Sequence, residues 1–457
     1  MTFEPLVLDS IDFSTLYSRG DFEYEVCIIG TGRVGLPLGL SLTEAGVKTI
    51  GVDTNQFVRD EVNAGRMPFS EPGYDELAAR REFTITGDTA AVAQSQTVII
   101  TVGTPLRNHI ETDLSQVERV LEQIRPYLRQ GQLICLRSTV APGTTAFAAK
   151  WLERATGLKI GRDLFLAFCP ERIAEGKAYS ELHSLPQIVG TEDPESRFRA
   201  MHVFGKLTEE ALGTDYVTAE LVKLFNNTLR YVHFALANEF AMLADQFGAN
   251  VYEARTLANY KYPRSFLAAP GFTAGTCLRK DFGMINEWSA YPDMLLSAWK
   301  VNEYMPNFLV QNLLQRTELH DKVVAVLGFT FKSDTDDLRD SLAPKLWRYI
   351  HRQLPTEIRV SDHNVPDPIP EESVGYPRNW DLDAALDGAE IVFIGTNHAG
   401  YADALQRLAQ TSPQTWIADI WNVGGIDQIF YRAGDLVQQP MTPLPVSESV
   451  LVEEVAR

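Results

Sequence analysis

A cysteine followed closely by a lysine and an aspartate is the residue group with the clearest chemical potential. The run 270–281 reads PGFTAGTCLRKD, so Cys277 lies close to Lys280 and Asp281. A neighbouring cation can lower the pKa of a thiol toward the nucleophilic thiolate, and a nearby carboxylate can act as a base. A lone cysteine is more often a buried apolar residue. On this segment alone, a buried structural cysteine is favoured over a reactive one.

A dinucleotide-binding fingerprint lies upstream of this cysteine. The letters GTGRVG follow an apolar run from Tyr24 to Ile29 and open a helical pattern. Glycines at these positions permit a tight turn and the close approach of a pyrophosphate, which the helix N-terminus stabilises. Asp53 ends the next apolar run and is expected to bind the adenosine ribose and to repel a 2′-phosphate, which predicts NAD rather than NADP. The alternative is a glycine turn in a sheet that binds no nucleotide.

The composition is that of a soluble globular protein with two or three domains, since 457 residues exceed one ordinary core. Its net charge of −19 comes without a basic block, which argues against a nucleic-acid or anionic-membrane surface. Four cysteines without CxxC spacing predict a reducing compartment. No signal-like leader or membrane-spanning run is seen, so a cytoplasmic protein is expected. No metal site is expected.

Apolar runs that alternate with helical patterns predict a parallel sheet with its ligand at the carboxyl ends of the strands. In the first half, further runs at 97–102 and 133–136 lead into Gly103-Thr104-Pro105 and Arg137-Ser138-Thr139. The second half repeats the order, with runs at 322–327, 357–361, 390–394 and 416–418 but without the full fingerprint. We therefore predict an α/β fold with two Rossmann-like, doubly wound parallel sheets joined by a long central helix.

The predicted divisions are an N-terminal extension (1–23), a nucleotide-binding domain (24–213), a central helical domain with the cysteine loop (214–318), a second Rossmann-like domain (319–438) and a loosely ordered tail (439–457).

The long helix, expected over about 215–248, carries polar residues that could stabilise negative charge. Lys223 and Asn227 are four residues apart and share a face, and Glu220 lies beside Lys223 on the same surface. On most helices such residues are solvated. Apolar residues on more than one face indicate instead a helix buried between domains or between subunits. A buried Lys and Asn facing a crevice could stabilise an oxyanion.

Two further polar runs are ambiguous. CPERIAEG at 169–176 follows an apolar run, and Glu171 could position a water or a hydroxyl there, or simply belong to a charged surface loop. FKSDTDDLRDS at 331–341 places Lys332 and Arg339 where they could meet phosphate oxygens, or be merely solvated. Neither run decides between these interpretations by itself.

Taken in order, these segments resemble the UDP-sugar 6-dehydrogenase family, which includes UDP-glucose and UDP-N-acetylhexosamine dehydrogenases. The resemblance runs from about Tyr24 to Gly425 and rests on the motifs GTGRVGLP, VGTP, STVAPGT, CPERIAEG, ELVKLFNN, GTCLRKD and FKSDTDDLRDS. It implies an NAD-binding N-terminal domain, a central helix that forms much of a dimer interface, and a UDP-binding C-terminal domain. It also implies a four-electron oxidation of the sugar C6 alcohol through a thiohemiacetal and a thioester of Cys277.

The resemblance implies a role for each matching residue. Cys277 would be the nucleophile, Lys223 with Asn227 would stabilise the oxyanions, and Asp281 would act as or orient the base. The expected catalytic residues are Cys277, Lys223, Asn227, Asp281, Glu171 and Thr139, the last two placing the hydrolytic water. The expected cofactor contacts are Gly30, Gly32, Arg33, Val34, Gly35, Asp53, Gly103, Thr104, Pro105, Thr139, Lys280 and Arg339. The expected substrate contacts are Glu171, Arg172, Lys223, Asn227, Arg264, Phe272, Gly275, Phe331 and Lys332.

Arg172 bears on the identity of the sugar. An arginine after Cys-Pro-Glu resembles the N-acetylhexosamine branch, whereas glucose-type members tend to have Phe there. Its donors could meet an acetamido carbonyl, which favours UDP-N-acetylmannosamine or UDP-N-acetylglucosamine, with UDP-glucose as the alternative. The cysteine loop departs from the common family pattern at 274–276 and 278–279, which bears on substrate fit more than on the chemistry.

Two other functions are weighed against this one. A two-electron β-hydroxyacid dehydrogenase shares the first sheet, the long helix and a Lys/Asn pair, but it needs no thiol and usually lacks a second nucleotide-binding domain. A non-catalytic nucleotide-sugar-binding protein would have no need to retain Cys277, Lys223, Asn227 and Asp281 together.

Overall fold

The structure is a computed structural model that describes residues 6–7, 22–104, 106–107, 111–112, 115–369 and 378–438. The predicted tail at 439–457 lies outside the described residues. The chain forms two compact units, one of residues 1–228 with 280–289 and the other of residues 229–279 with 290–457. Each unit contains one large sheet and is described by itself.

The first unit is built around a nine-stranded sheet. The strands of this unit are β1 (Leu6–Val7), β2 (Tyr24–Ile29), β3 (Thr49–Val52), β4 (Thr84–Thr86), β5 (Ser95–Ile100), β6 (Leu106–Arg107), β7 (Glu111–Thr112), β8 (Leu133–Leu136), β9 (Phe165–Phe168), β10 (Gln187–Gly190) and β11 (Glu210–Thr214). Its helices are α1 (Gly35–Glu44), α2 (Gln56–Asn63), α3 (Asp75–Ala79), α4 (Ser115–Ile124), α5 (Thr144–Thr156), α6 (Ala178–Ser184) and α7 (Pro194–Phe204). β6 and β7 form a separate two-stranded ribbon.

The strand order of this sheet is β1-β11-β10-β9-β8-β5-β2-β3-β4. β2 pairs in parallel with β3 on one side and with β5 on the other. The direction of winding therefore reverses at β2, and a crevice is expected at the carboxyl ends of β2 and β5. The predicted parallel-dominated α/β sheet is confirmed. The differences are two antiparallel pairs, β1 with β11 and β9 with β10.

Burial on both faces explains the continuous apolar run from Val26 to Ile29 in β2. Val26 and Ile28 pack with Leu38 and Leu42 of α1 on one side of the sheet. Cys27 points to the opposite layer, where it joins the apolar residues of α4. Its burial raises the pKa of the Cys27 thiol to about 12, so this cysteine stays neutral and unreactive.

The second unit contains a five-stranded sheet with the order β13-β12-β14-β15-β16. Its strands are β12 (Val323–Leu327), β13 (Glu357–Ser361), β14 (Ile391–Ile394), β15 (Trp416–Ala418) and β16 (Phe430–Arg432). β12 lies between two parallel neighbours, as β2 does in the first sheet. The second Rossmann-like sheet is therefore confirmed, with β16 as an added antiparallel strand.

The remaining helices are α8 (Tyr216–Gln246), α9 (Val251–Asn259), α10 (Thr276–Trp288), α11 (Asp293–Leu314), α12 (Ala343–His351), α13 (Leu382–Leu386), α14 (Tyr401–Thr411) and α15 (Asp435–Gln438). α8 and α10 each contribute residues to both units. In the described part of the chain, none of the helices has the length and apolarity to cross a bilayer.

The long helix α8 is buried on one side only. Leu224 and Tyr231 are buried as expected. A second face, which we call the apolar stripe, is exposed in this single chain, and it consists of Leu229, Leu236, Phe240, Leu243 and Phe247. Phe247 has 75% of its surface exposed. The expected burial of this face between domains or between subunits stays a prediction.

Glu220 differs from its predicted place on the helix surface. The side chain is fully buried. Its Oε1 accepts hydrogen bonds from the N–H and the hydroxyl of Thr145, and its Oε2 accepts from the N–H of Gly143, all within 2.7 Å. The carboxylate therefore caps the N-terminus of α5. Burial raises the pKa of Glu220, although these hydrogen bonds oppose the rise.

We predict that Glu220→Ala lowers the free energy of unfolding by about 2–4 kcal/mol, because it leaves buried donors without an acceptor and removes a helix cap. Urea denaturation followed by circular dichroism would measure the change. Glu239→Ala, at an exposed position on the same helix, is the control and should change the value by less than about 0.5 kcal/mol. Equal losses in the two variants would contradict the capping role.

Candidate active site

The glycine turn between β2 and α1 has room for a ligand. Gly30 has a φ of +89°, and a Cβ at Gly35 would lie 2.0 Å from the carbonyl oxygen of Gly30. A side chain at either position would therefore strain the turn. Apart from its sequence neighbours, no described atom lies within 4 Å of a Cβ built at Gly32. The open backbone and the N-terminus of α1 fit the pyrophosphate of a dinucleotide.

Asp53 ends β3 and faces this turn. Its Oδ2 accepts hydrogen bonds from the N–H and the hydroxyl of Thr31, at 2.7 and 3.1 Å. Its Oδ1 accepts from the N–H of Asn55 at 2.8 Å and keeps a lone pair for a ribose hydroxyl. Arg59, which the sequence analysis missed, donates to the Asp53 carbonyl at 2.7 Å. The available signal was a basic residue in the helix that follows the acidic strand end.

Arg33 connects the glycine turn to the CPERIAEG loop. Its Nη1 lies 2.6 Å from Oε1 of Glu175, and its guanidinium lies 4.9 Å from the ring centroid of Phe69. Glu175 was not predicted as a site residue. The only signal in the sequence was a second carboxylate four residues after Glu171 in the same motif.

Glu171 is held by a buried arginine that the sequence analysis also left out. Nε and Nη2 of Arg137 donate to its Oε2 at 2.8 and 2.5 Å. Its Oε1 accepts from the N–H groups of Arg172 and Ile173 at 2.7 and 2.9 Å. Glu171 therefore joins the buried Arg137 to the backbone of its own loop. Loss of the carboxylate would leave the Arg137 charge uncompensated. The direct contact of Glu171 with water or substrate stays a prediction.

Arg172, the residue expected to recognise the sugar, is half-buried near the same carboxylate. Its guanidinium donates a hydrogen bond to the carbonyl oxygen of Pro186. Burial lowers the pKa of Arg172, while the charge of Glu171 opposes that effect. Its contact with substrate stays a prediction.

Asp281 is the centre of a cluster that brings five of the predicted residues together. The carboxylate is fully buried, and its Oδ2 accepts a hydrogen bond from Nδ2 of Asn227 at 2.6 Å. Nζ of Lys280 lies 3.3 Å from Oδ1 and donates to Oγ1 of Thr104 at 3.0 Å. Thr104 in turn donates to the carbonyl oxygen of Thr139 at 2.6 Å. These contacts link the segments that follow β5 and β8 to α8 and α10.

Two charged groups, the carboxylate at the centre of this cluster and the ammonium of Lys223, could each accept a further polar contact. Oδ1 of Asp281 has no hydrogen bond in the described chain, apart from its ion pair with Lys280. Lys223, one turn before Asn227 on the same face, is only 8% exposed. Within the described residues, no hydrogen bond or ion pair engages its ammonium. Buried charge without a partner is costly, so both groups favour the entry of a polar ligand.

Cys277 is the one cysteine whose thiol is exposed, and all four cysteines of the chain lie in its described part. The structural interpretation of Cys277 as a buried residue is therefore wrong. It lies in the first turn of α10, four residues before Asp281, and so on the same helix face. The helix thus carries a thiol and a carboxylate one turn apart.

The loop before Cys277 packs closely within the second unit. Gly275 has a φ of +91°, and a Cβ there would lie 2.5 Å from the ring of Phe331. Its N–H donates to the carbonyl oxygen of Asp340 at 3.2 Å. Phe272 is buried edge-on against Trp421, with ring centroids 6.3 Å apart. The predicted substrate contacts Phe272, Gly275 and Phe331 therefore also have packing roles.

The other predicted contacts of the second unit are more exposed. Arg339 is paired in bidentate fashion with the carboxylate of Asp337, at 2.6 to 3.0 Å. Arg264 is exposed, with its guanidinium 4.7 Å from the ring centroid of Tyr262. Lys332 is half-buried in the loop after β12.

Three predicted cofactor contacts remain. Val34 is half-buried immediately before α1, and Gly103 is exposed beyond the carboxyl end of β5. Pro105 lies outside the described residues.

Three family models match the chain in the order that the motifs predict. The NAD binding domain of the UDP-glucose/GDP-mannose dehydrogenase family matches residues 24–208. The central domain of that family matches residues 217–304, and its UDP binding domain matches residues 325–425.

The chain is also similar to curated proteins over most of its length. It is 32% identical to the UDP-N-acetyl-D-mannosamine dehydrogenase of Pyrococcus horikoshii, over 82% of this chain and 89% of that protein. It is 30% identical to the NDP-N-acetyl-D-galactosaminuronic acid dehydrogenase of Ralstonia nicotianae, over 82% of this chain and 90% of that protein.

Solved structures agree with these matches. The UDP-D-ManNAc dehydrogenase of Pyrococcus horikoshii has a TM-score of 0.77 and 31% identity, covering 84% of this chain and 92% of that chain. A UDP-glucose dehydrogenase from Pyrobaculum islandicum has a TM-score of 0.74 and 26% identity, covering 85% and 93%. The chain therefore belongs to the UDP-glucose/GDP-mannose dehydrogenase family, with an NAD binding, a central and a UDP binding domain.

Proposed function

We propose that this member of the family oxidises the C6 hydroxyl of UDP-N-acetyl-D-mannosamine to the carboxylate, consuming two NAD⁺ per sugar. The observation that carries the proposal is the buried cluster of Asp281, Asn227 and Lys280, with Lys223 nearby on α8 and Cys277 one turn away on α10. This set combines a base, a charge stabiliser and a nucleophile, which are the groups that oxidation of an alcohol to an acid requires.

In the first oxidation, Asp281 receives the C6 hydroxyl proton. Its Oδ1 is the carboxylate oxygen without a hydrogen bond in the described chain. Lys223 and Asn227 stabilise the negative charge on the substrate oxygen, because a buried ammonium and amide need no reorganisation as that charge develops. NAD⁺, when bound, accepts the hydride in each of the two oxidations.

In the second oxidation, the Cys277 thiolate adds to the C6 aldehyde and forms a thiohemiacetal. The thiohemiacetal then loses a hydride from C6 and a proton from its hydroxyl oxygen, which gives a thioester on Cys277. Water then adds to the thioester, and the thiol departs as the free carboxylate forms. The exposed thiol of Cys277 supports this role, because the other three cysteines are buried. Thr139 and Glu171 are the residues proposed to help place the water.

The choice of sugar is supported by the relatives and by Arg172. Curated proteins 32% and 33% identical to this chain are named UDP-N-acetyl-D-mannosamine dehydrogenases. Arg172 has four side-chain hydrogens besides the one it donates to Pro186, and these are suited to an acetamido oxygen.

The nucleotide part of the substrate is proposed to use the second unit. Lys332 and Phe331 follow β12 directly, at the carboxyl end of the central strand of its sheet. That end is where ligands bind in open α/β sheets. Phe272, Gly275 and Arg264 are proposed to complete the substrate contacts, and Arg339 is proposed to face the cofactor.

The proposed function predicts the outcome of a substrate panel. UDP-N-acetylmannosamine, UDP-N-acetylglucosamine and UDP-glucose would each be supplied with NAD⁺, and both NADH and the uronate product would be quantified. We expect turnover of UDP-N-acetylmannosamine with two NADH per uronate. Preference for UDP-glucose would refute the role of Arg172 and keep the chemistry. One NADH per sugar, or none with any of the three, would refute the proposed reaction.

The Cys277→Ser variant tests whether the reaction requires a thioester on Cys277. It should bind NAD⁺ as the parent protein does and lose uronate formation by more than about 10³-fold, because the step that forms the acyl intermediate is lost. Full uronate formation in this variant would exclude the covalent route.

The contact of Asp53 with the ribose predicts cofactor preference. Asp53→Asn should reduce the preference for NAD⁺ over NADP⁺ by about 10-fold, since it removes a charge repulsion of roughly 1–2 kcal/mol with the 2′-phosphate. The ratio of kcat/KM for the two cofactors measures the effect. Asp60→Asn, at an exposed position on α2, should leave the ratio unchanged. An unaltered ratio in Asp53→Asn would exclude this role.

We also propose that the chain forms a homodimer through the apolar stripe of α8. Its members recur along one face of the helix and include no charged residue, whereas scattered surface residues would not align in this way. The occupant is a second copy, because two equivalent stripes crossing about a twofold axis bury the same residues on both chains.

The paired substitution Leu236→Glu with Phe240→Glu should therefore convert the dimer to a monomer of 51.1 kDa. Light scattering coupled to size-exclusion chromatography would measure the mass. Phe147→Glu, which changes an exposed phenylalanine of α5 outside the stripe, should leave the dimer intact. A monomeric parent protein would contradict the proposal, as would a dimer that survives the paired substitution.

A reducing compartment, and so the cytoplasm, is proposed for this chain. None of the four cysteines, all of which lie in the described part of the chain, is in a disulfide, and the chemistry above requires Cys277 as a thiol rather than as a disulfide.

A further inference from the structure

We propose that Asp334, His363 and His398 form a binding site for a divalent transition metal ion such as Zn²⁺. Each residue offers one ligand atom, and these atoms all lie within 4.8 Å of one another. Asp334 belongs to the loop after β12, His363 follows β13, and His398 follows β14. These strands are neighbours in the sheet, and their carboxyl ends lie on one edge. None of these three residues is among those proposed for the oxidation.

His398 has the hydrogen bonding of a metal-binding histidine. The ring is buried, and its Nε2 lies 3.0 Å from Oδ2 of Asp362. Oδ2 also accepts the N–H of Phe329 at 2.7 Å, so this oxygen is an acceptor and the proton sits on Nε2 of His398. The lone pair of Nδ1 therefore faces Asp334, whose Oδ1 lies 3.8 Å away. Metal-binding histidines commonly donate their other N–H to a carboxylate in this way.

Nδ1 of His398 currently serves as an acceptor for two donors. The backbone nitrogen of Asp334 lies 2.9 Å away, and the side-chain Nδ2 of Asn364 lies 3.0 Å away. A ring nitrogen has one lone pair, so it cannot fully satisfy both donors. A metal ion at Nδ1 would displace them, and both groups are near solvent, where water can replace the lost bond.

The other two ligands lie at the surface, and Oδ1 of Asp334 accepts a hydrogen bond from the N–H of Ala399 at 3.1 Å. His363 and Asp334 are exposed, and the His363 ring lies edge-on to that of His398 with centroids 5.1 Å apart. Two imidazoles and one carboxylate, with water as the fourth ligand, suit Zn²⁺ or Co²⁺. Mg²⁺ and Ca²⁺ are disfavoured because they prefer oxygen ligands.

A bound ion would fasten the loop at 330–341 to the ends of β13 and β14. That loop carries Phe331, Lys332 and Arg339, so this consequence rests on the proposed role of the loop in nucleotide binding. The ion would then lower the KM for the UDP-sugar and leave kcat nearly unchanged, because none of its ligands is assigned a role in the chemical steps.

Titration of the metal-free protein with Co²⁺, without NAD or sugar, tests the site directly. We expect one ion per chain with visible d–d absorption and without thiolate-to-cobalt charge transfer. His363→Ala and Asp334→Asn should each weaken binding by about 10-fold or more, since the loss of even an outer ligand partner costs that much. Asparagine suits position 334 because the residue has a φ of +56°.

Two matched variants identify the binding residues. His320→Ala removes an exposed histidine elsewhere in the second unit and should bind Co²⁺ as the parent does. Cys277→Ser should give the same spectrum, because the exposed thiol is not a ligand. The proposal is overturned if no stoichiometric binding occurs, if His363→Ala and Asp334→Asn bind as tightly as the parent while folded by circular dichroism, or if Cys277→Ser abolishes the signal. Each of these results is independent of whether the UDP-sugar is oxidised.

Discussion

The hydrogen bond between Asn227 and Asp281 is the contact on which the arrangement of the active-site helices depends. It joins α8 to α10 at 2.6 Å, and the carboxylate that accepts it is fully buried. A buried carboxylate is tolerated only when hydrogen bonds and a nearby cation compensate its lost hydration. Asn227 and Lys280 supply that compensation and thereby fix the rotation of α10 about its axis. Since Cys277 lies one turn earlier on α10, the same contact determines where its thiol is presented.

The two sheets share one arrangement after their central strands, but the aspartate in that arrangement is in a different environment in each. In each, a glycine with positive φ follows the central strand, and an aspartate at the end of the next strand accepts backbone N–H groups from that turn. Asp53 keeps a lone pair on Oδ1 and is half-buried. Asp362 is fully buried. Its oxygens accept hydrogen bonds from the backbone N–H groups of Phe329, Thr330 and Asn364 and from the ring of His398. Its pKa is lowered even though burial would raise it, since hydrogen bonds from these groups favour the carboxylate. The second sheet therefore has no aspartate available for a ribose at that position.

Glu220 and Lys223 lie close together on α8 but are in different environments. Glu220 and Lys223 are three residues apart on α8, yet the first caps α5 while the second has no polar partner in the described chain. The Glu220 carboxylate contributes to stability through three hydrogen bonds. The buried Lys223 ammonium costs stability, because nothing in the described chain replaces its lost hydration. Spacing on the helix distinguishes these residues poorly, because both are polar and nearly on one face.

The sequence by itself determined the elements and their order. The runs at Tyr24–Ile29, Leu133–Leu136 and Glu357–Ser361 are confirmed at both ends, and each stops at a glycine or a polar residue. Of the three, Leu133–Leu136 is apolar and buried throughout, as expected of a strand covered on both faces. The run predicted at 97–102 is instead Ser95–Ile100, since its pairing with β2 ends where Ile29 meets Ile100. The motifs also determined the family and most of the cluster around Asp281. The tertiary structure alone decided the partners, namely Arg33 with Glu175, Arg137 with Glu171, Glu220 with α5, and His363 with His398. These contacts join residues far apart in the chain, and their side chains are placed by the packing of strands and helices, which no local spacing records.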